Sequence, residues 1–269
     1  MLDSMPTRRD AFAAQGYFRV DGFVDAAIGT AMLERVVEIV RTADAGEDVT
    51  PPLITIEEQA DYGARAAPED RVSKVFRLHR DPVFHAFATD PRVLDLVRPL
   101  LGTDDVSCFL SQFIFKNPGA RGQPWHQDSL YFPFEPARPV VGIWLAVTAA
   151  TLENGCLHVL AASNHEPVVT HVPDRRPGAN HGYFEIVGHD MTGAEPVLMQ
   201  PGDLLVFDSH LMHRSTDNGS NGIRAAMVYH YAKTGTLDRS EAVYGYSIND
   251  WVPVHGAGVA RSTGGSDGK

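Results

Sequence analysis

The chain has 269 residues, a length that one β-rich domain can reach. Its 23 Lys and Arg against 34 Asp and Glu leave a net charge of −11, which argues against a protein held on nucleic acid or anionic lipid by a general positive field. A hydrophobic fraction of 43% is enough for a real core, and two cysteines, Cys108 and Cys156, are too few for a disulfide scaffold or a Cys-rich zinc module. No apolar run reaches the ~18 residues of a membrane span. No apolar stretch follows Arg8 and Arg9 to make a signal peptide, and the residues up to Lys269 carry no peroxisomal or lipid tag. The expectation is a cytoplasmic protein with a small-molecule substrate and neither nucleic acid nor membrane as partner. One feature is left over: twelve histidines.

The N-terminal part, about 7–101, reads as helical. Thr7 is placed to cap a segment that ends at Gln15 and stops at Gly16. A second helix fits Ala26 to Arg41, with Ile28, Met32, Val36, Ile39 and Val40 on one side near the 3.6 period. Residues 42–70 hold Gly46, Pro51, Pro52, Gly63 and Pro68 among carboxylates and read as a mobile loop. A third helical region runs from Asp81 to Leu101, with Pro82 and Pro91 where helices start. From Val106 the texture changes to short β-branched or aromatic runs between turns: 106–116, 140–148, 156–160, 168–172, 197–199, 203–208 and 223–231. Such runs without alternating helices indicate a mainly β fold with flanking α, an antiparallel jelly roll over about 106–235. No repeat or linker interrupts the chain, so a single domain is expected over 1–255, with a flexible glycine-rich tail at 256–269.

Within the β part, Trp125-His126-Gln127-Asp128 follows a Pro/Gly turn. Positions two apart in an extended chain share a face, so His126 and Asp128 can grip one ion. His-x-Asp alone is common by chance. A second segment strengthens it: Pro201-Gly202 launches the apolar run Leu204 to Phe207, which leads to His210 and His213. Two histidines and one carboxylate with open positions form the facial triad of non-haem iron(II) oxygenases. Either histidine alone would complete it, and the downstream strand favours His213. In residues 223–231, Arg224 shares a face with Ala226, Val228 and His230, and an arginine there is costly unless an anion meets it. A dicarboxylate would fit its bidentate fork, and Ser215, two residues after His213, could add a hydroxyl.

These residues resemble the phytanoyl-CoA hydroxylase (phytanoyl-CoA dioxygenase) family of iron(II)/2-oxoglutarate dioxygenases over roughly residues 10–235. The matching pieces are His126-Gln127-Asp128, Leu152-Glu153-Asn154-Gly155-Cys156-Leu157 leading to Ser163-Asn164-His165, and Gly202-Asp203 through Phe207 to His213. Arg224 follows eleven residues later. The resemblance implies a double-stranded β-helix, a cupin-like jelly roll with N-terminal helices on one sheet. It also implies Fe(II), 2-oxoglutarate as cosubstrate and dioxygen, with His126, Asp128 and His213 on the metal and Arg224 on the distal carboxylate. Trp144 and Ser215 match the family's cosubstrate contacts, as do Lys74 and Gln112 less closely. Ala161-Ala162-Ser163-Asn164-His165 departs from the family's Pro-Gly-Ser-His and leaves the following loop undefined.

Local pattern adds its own support. In 140–148, Val141, Ile143, Leu145 and Val147 make one bulky face, whereas Trp144 stands among Gly142, Ala146 and Thr148, as a cavity wall would. The amide of Gln112, set among apolar neighbours, needs a partner. His230 fits a packing or supporting role rather than ligation. Asp174-Arg175-Arg176 lies in the long segment 164–196, where it is a solvated turn or a contact for an anionic substrate. The expected reaction is hydroxylation of an unactivated C–H, since relatives that halogenate carry Gly or Ala where Asp128 stands. Epimerisation, desaturation or cyclisation would use the same cofactors. A zinc-dependent hydrolase on the same three ligands leaves Arg224 without a partner, and a non-catalytic cupin-like binding protein is the third reading. Phytanoyl-CoA itself is not the expected substrate, because nothing marks a basic channel for the CoA phosphates.

Overall fold

Helices begin where an aspartate can serve the first turn. The computed structural model describes residues 4–57, 67–180, 182–257 and 259. In it α1 spans Met5–Gln15, α2 Ala26–Asp44, α3 Pro82–Ala88, α4 Pro91–Leu101 and α5 Ser240–Tyr244. Asp25, Asp81 and Asp90 each accept a backbone N–H two residues on, satisfying donors that a helix start leaves open. The third helical region therefore divides in two at Asp90. Thr7 is not a cap, because α1 begins ahead of it at Met5. Met32, Val36, Ile39 and Val40 of α2 are buried as their period predicts, whereas Ile28 is 42% exposed. Gly29 makes the contact in that turn instead, lying against the Val147 backbone.

The strands are β1 Tyr17–Val20, β2 Leu53–Ile56, β3 Val72–Phe76, β4 Val106–Lys116, β5 Phe134–Glu135, β6 Val141–Ala146, β7 Leu157–Val159 and β8 His171–Pro173. They continue with β9 Phe184–Ile186, β10 Glu195–Val197, β11 Leu204–Asp208, β12 His213–Ser215, β13 Arg224–Lys233, β14 Leu237–Asp238 and β15 Val252–His255. A major sheet has the order β1-β11-β6-β13-β4-β3-β2, with β15 also on β4, and a minor sheet the order β10-β7-β12. Hairpins β14-β5 and β8-β9 complete the set, and every strand pairing described is antiparallel.

The jelly-roll architecture is the one expected, but its sheets are open. The minor strands are three residues long, too short to carry one continuous ladder around a barrel. Residues 42–70 are not simply a loop. They hold the end of α2, edge strand β2 and a 3₁₀ turn at Pro68–Arg71, whose Glu69 and Asp70 carbonyls accept from Asn117 Nδ2. Residues 58–66 and nearly all of the 256–269 tail lie outside the described residues.

β13 divides the interior. Ala225, Met227, Tyr229 and Tyr231 face the helices, with Val141, Ile143 and Leu145 of β6 and Leu204 and Val206 of β11 in the same cluster. Two phenols buried there are satisfied: Tyr229 Oη donates to Phe84 O at 3.0 Å and Tyr231 Oη to Ala88 O at 3.2 Å, both on α3. The opposite face carries Arg224, Ala226, Val228 and His230. In register beside them stand Gly142, Trp144 and Ala146 of β6 and Leu110, Gln112, Ile114 and Lys116 of β4. Helices thus cover one side of the major sheet and leave the other for the minor sheet and the site.

Gly142 lets these layers close. A Cβ there would come within 2.3 Å of the Phe207 ring, which packs with its centroid 5.4 Å from that of His213 and 5.9 Å from that of His230. Gly142→Ala is expected to cost about 1–3 kcal/mol as overpacking, read as a lower denaturant midpoint. An unchanged midpoint would show that the ring moves aside freely.

Candidate functional site

The extended run Trp125 to Asp128 puts His126 and Asp128 on one side and Gln127 on the other. His126 pairs across an antiparallel bridge with His213, so this run lies beside β12 as a further edge of the minor sheet. His126, Asp128 and His213 are all buried, and one donor atom from each lies within 4.8 Å of the other two. His126 Nε2 is 3.4 Å and His213 Nε2 3.7 Å from the same oxygen, Asp128 Oδ1. The other ring nitrogens donate to backbone carbonyls: His126 Nδ1 to Pro124 O at 2.8 Å and His213 Nδ1 to Leu211 O at 3.0 Å. That fixes each tautomer with Nε2 bare and turned toward the common point. Burial holds His213 neutral, its pKa down to about 4, so the ring keeps its lone pair.

His230 reaches the cluster from β13 and donates through Nε2 to Asp128 Oδ2 at 2.7 Å. One oxygen of the carboxylate is thereby held while the other faces the imidazoles. Burial opposes the Asp128 charge. The surrounding imidazoles, above all the hydrogen bond from His230, outweigh it and keep the carboxyl well below its usual range. Two imidazole nitrogens and one carboxylate make a donor set that could hold one divalent metal ion. His210, the rival third ligand, turns its Nδ1 to Glu166 O at 3.0 Å and takes no part.

Along the same face, Arg224 is 1% exposed, and its Nε and Nη1 have no hydrogen-bond partner among the described residues. Its guanidinium carbon sits 5.6 Å from the centre of the Trp144 ring, whose Nε1 is also unpartnered. Burial pulls the Arg224 pKa down to about 10, still charged at neutral pH. Ser215 Oγ, on β12, accepts from Gln123 N at 3.1 Å and from Lys116 Nζ at 2.7 Å. Gln112 lies on this face opposite Val228. Lys74, opposite Ile114, points the same way, but its Nζ is engaged by Gln123 Oε1 at 3.0 Å and lies 4.8 Å from the centre of the Tyr183 ring. All eight sequence-predicted site residues therefore border one interior region.

Segment 164–196 folds over the edge of this region. Gln127 anchors its start, donating through Nε2 to Pro167 O and His210 O and accepting from Val169 N. Tyr131 Oη donates to Gly182 O at 3.4 Å and accepts from Phe184 N at 3.3 Å, with its ring centroid 6.2 Å from that of His126. Arg176 is held by Asp174 and Gly122 O, so that turn is an internal ion pair. Sequence reasoning gave no role to Lys116, Tyr131 or Tyr183. For Lys116 a signal existed: it alternates with Gln112 and Ile114 on the strand that runs to it. The Ala-Ala-Ser departure has a structural answer, since Ala162 adopts φ 65, the left-handed conformation usual for glycine.

Comparison with known proteins follows this geometry. The model of the phytanoyl-CoA dioxygenase (PhyH) family matches residues 12–226. A probable phytanoyl-CoA dioxygenase of Caenorhabditis elegans is 32% identical over 172 residues, 61% of this chain and 55% of the worm protein, so the chain spans little more than half of that relative's length. The phytanoyl-CoA dioxygenase domain-containing protein 1 of Mus musculus is 28% identical over 261 residues, covering 84% of this chain and 89% of the mouse protein. Among solved structures, EctD from S. alaskensis with 2-oxoglutarate and 5-hydroxyectoine superposes with a TM-score of 0.66 at 21% identity, over 87% of this chain and 78% of that one. A jelly roll of this topology, with a family match that spans both histidine segments and Arg224, makes the chain a member of the phytanoyl-CoA dioxygenase family.

Proposed function

We propose that the chain is an iron(II)- and 2-oxoglutarate-dependent oxygenase that hydroxylates an unactivated C–H bond of a small organic molecule. The observation that carries this reading is Arg224, a buried guanidinium with unpartnered N–H groups on the sheet face that also holds His230 and borders the His126–Asp128–His213 cluster. A buried cation left open in this way suits a carboxylate held bidentately. The donor set suits iron(II), and a dicarboxylate that reaches from the metal to Arg224 answers both features at once. A zinc hydrolase would leave the guanidinium without a use.

When bound, iron(II) and 2-oxoglutarate supply the oxidative step: dioxygen gives one oxygen atom to succinate, formed with carbon dioxide, and the other to the substrate C–H. The chain's own residues set the stage. His126 and His213 present their Nε2 atoms, each ring oriented by a carbonyl, and His230 keeps Asp128 Oδ1 turned to the same point. Arg224 and Ser215 would hold the far carboxylate, with the Trp144 ring, its centre 5.6 Å from the guanidinium carbon, beside it. Tyr131 and the 164–196 segment bound the side where substrate would lie and help to exclude water. Asp128 occupies the position that a halide would otherwise need, which favours hydroxylation over halogenation. EctD, crystallised with a hydroxylated product, offers a parallel for that outcome.

Purified protein given iron(II), 2-oxoglutarate and a panel of small organic molecules under air is expected to form succinate, and His126→Ala to form none. Metal-dependent hydrolysis without succinate would overturn the reading. Arg224→Met should weaken 2-oxoglutarate about tenfold to a hundredfold, the loss of a charge-assisted bidentate contact, seen as a higher KM for 2-oxoglutarate. An unchanged KM would remove Arg224 from the site. His230→Phe frees Asp128 Oδ2 and should weaken metal binding roughly tenfold to a hundredfold, as measured by competition with a chelator.

A further inference from the structure

Lys116 is a second interior cation beside the first. It closes β4 directly opposite Arg224 on β13 and is 4% exposed. Like charges facing each other on neighbouring strands repel, and removing an ammonium from water adds to the cost. Burial and the Arg224 charge drive the Lys116 pKa well below its ordinary value, with Asp217 and Glu57 offsetting part of the effect. An arrangement this costly calls for something the pair does together.

The hydrogen bonds indicate what that is. Lys116 Nζ donates to Ser215 Oγ at 2.7 Å and to Thr216 O at 2.6 Å, so it ties the end of β4 to β12 and the residue after it. Gln123 N donates to the same Ser215 Oγ at 3.1 Å. A hydroxyl has two lone pairs and one hydrogen. With both lone pairs taken by N–H donors, the Ser215 hydrogen remains to be given away. Ser215 is thereby set as a donor by a lysine that stands opposite Arg224, whose Nε and Nη1 have no partner among the described residues.

We propose that Lys116 is a positioning residue for the distal carboxylate of the cosubstrate: it fixes Ser215 as a hydrogen-bond donor beside Arg224 and so sets the affinity of the site for a dianion. Lys116 acts through Ser215 and does not itself touch the ligand. The inference rests on the 2-oxoglutarate reading above.

The test is calorimetric binding to protein loaded with manganese(II) in place of iron, so that no turnover enters. Two ligands are compared: 2-oxoglutarate and 2-oxopentanoate, which has the same carbon skeleton without the distal carboxylate. Lys116→Met is expected to weaken 2-oxoglutarate about tenfold and to leave 2-oxopentanoate unchanged. In a Ser215→Ala background the same substitution should cost less than about twofold, because coupled residues are not additive. Equal loss for both ligands would mean a merely structural lysine and overturn the proposal, as would a tenfold loss that persists without Ser215. Failure of the wild-type protein to bind 2-oxoglutarate would sink the cosubstrate reading and this inference with it. Should K116M not fold, Lys116→Gln, which keeps a neutral donor, replaces it. The expected loss is then about threefold, again confined to the dicarboxylate, and no loss overturns the proposal.

Discussion

The hydrogen bond from His230 to Asp128 joins two parts of the molecule that no strand pairing connects there. Asp128 belongs to the run that lies along the minor sheet, and His230 to the central strand of the major one. That contact holds one carboxylate oxygen and leaves the other turned toward the two imidazoles. Phe207, packed against both His213 and His230 and made possible by Gly142, gives the contact an apolar wall. A polar bond sealed from water is strong because nothing competes for it, and costly to leave half made.

β13 explains how one strand serves both the core and the site. Its odd-numbered residues pack on helices and place two phenols on α3 carbonyls, so the strand cannot slip by one residue without turning Tyr229 and Tyr231 into the cavity and Arg224 into the core. The helical layer, far from the chemistry, thereby fixes the register that aims Arg224 and His230. Charge follows the same division. The chain is acidic as a whole, at −11, yet Arg224, Lys116 and Lys74 all sit on the inner side of the major sheet.

Much of this was legible in the residues. Period-two alternation in 223–231 and 140–148 gives both faces, although the second strand ends at Ala146, and 106–116 is one strand with the expected ends. These are long runs whose pattern is dictated by burial on each side. The candidate ligand set rests on spacing, on an interior arginine without a local partner and on the family resemblance, and the three side chains do converge. Less legible was whatever depends on distant partners. Residues 53–56 form a strand only because β3 lies beside them, and β12, three residues long, has no pattern of its own. Lys116 was passed over because a lysine at a strand end ordinarily reaches solvent, and nothing local announces that Ser215 will close over it. The open sheets escaped notice for a related reason, since closure depends on strand lengths that turn residues only bracket.

Gln127 stands between two of the three clustered side chains and faces the other way. Its amide ties the polypeptide at Pro167, Val169 and His210. The root of the 164–196 segment and the His126–Asp128 run are therefore parts of one lever, with Gln127 as its pin. Any swing of the segment about its root would drag the neighbouring donor atoms out of convergence, and the β8-β9 hairpin is tied to the same run: Ile186 N donates to Trp125 O at 2.8 Å and Gln127 N to His171 Nε2 at 3.2 Å. Tyr131 adds two longer contacts, 3.3 Å from Phe184 N and 3.4 Å to Gly182 O, so the segment braces the His126–Asp128 run along its length and not at its root alone.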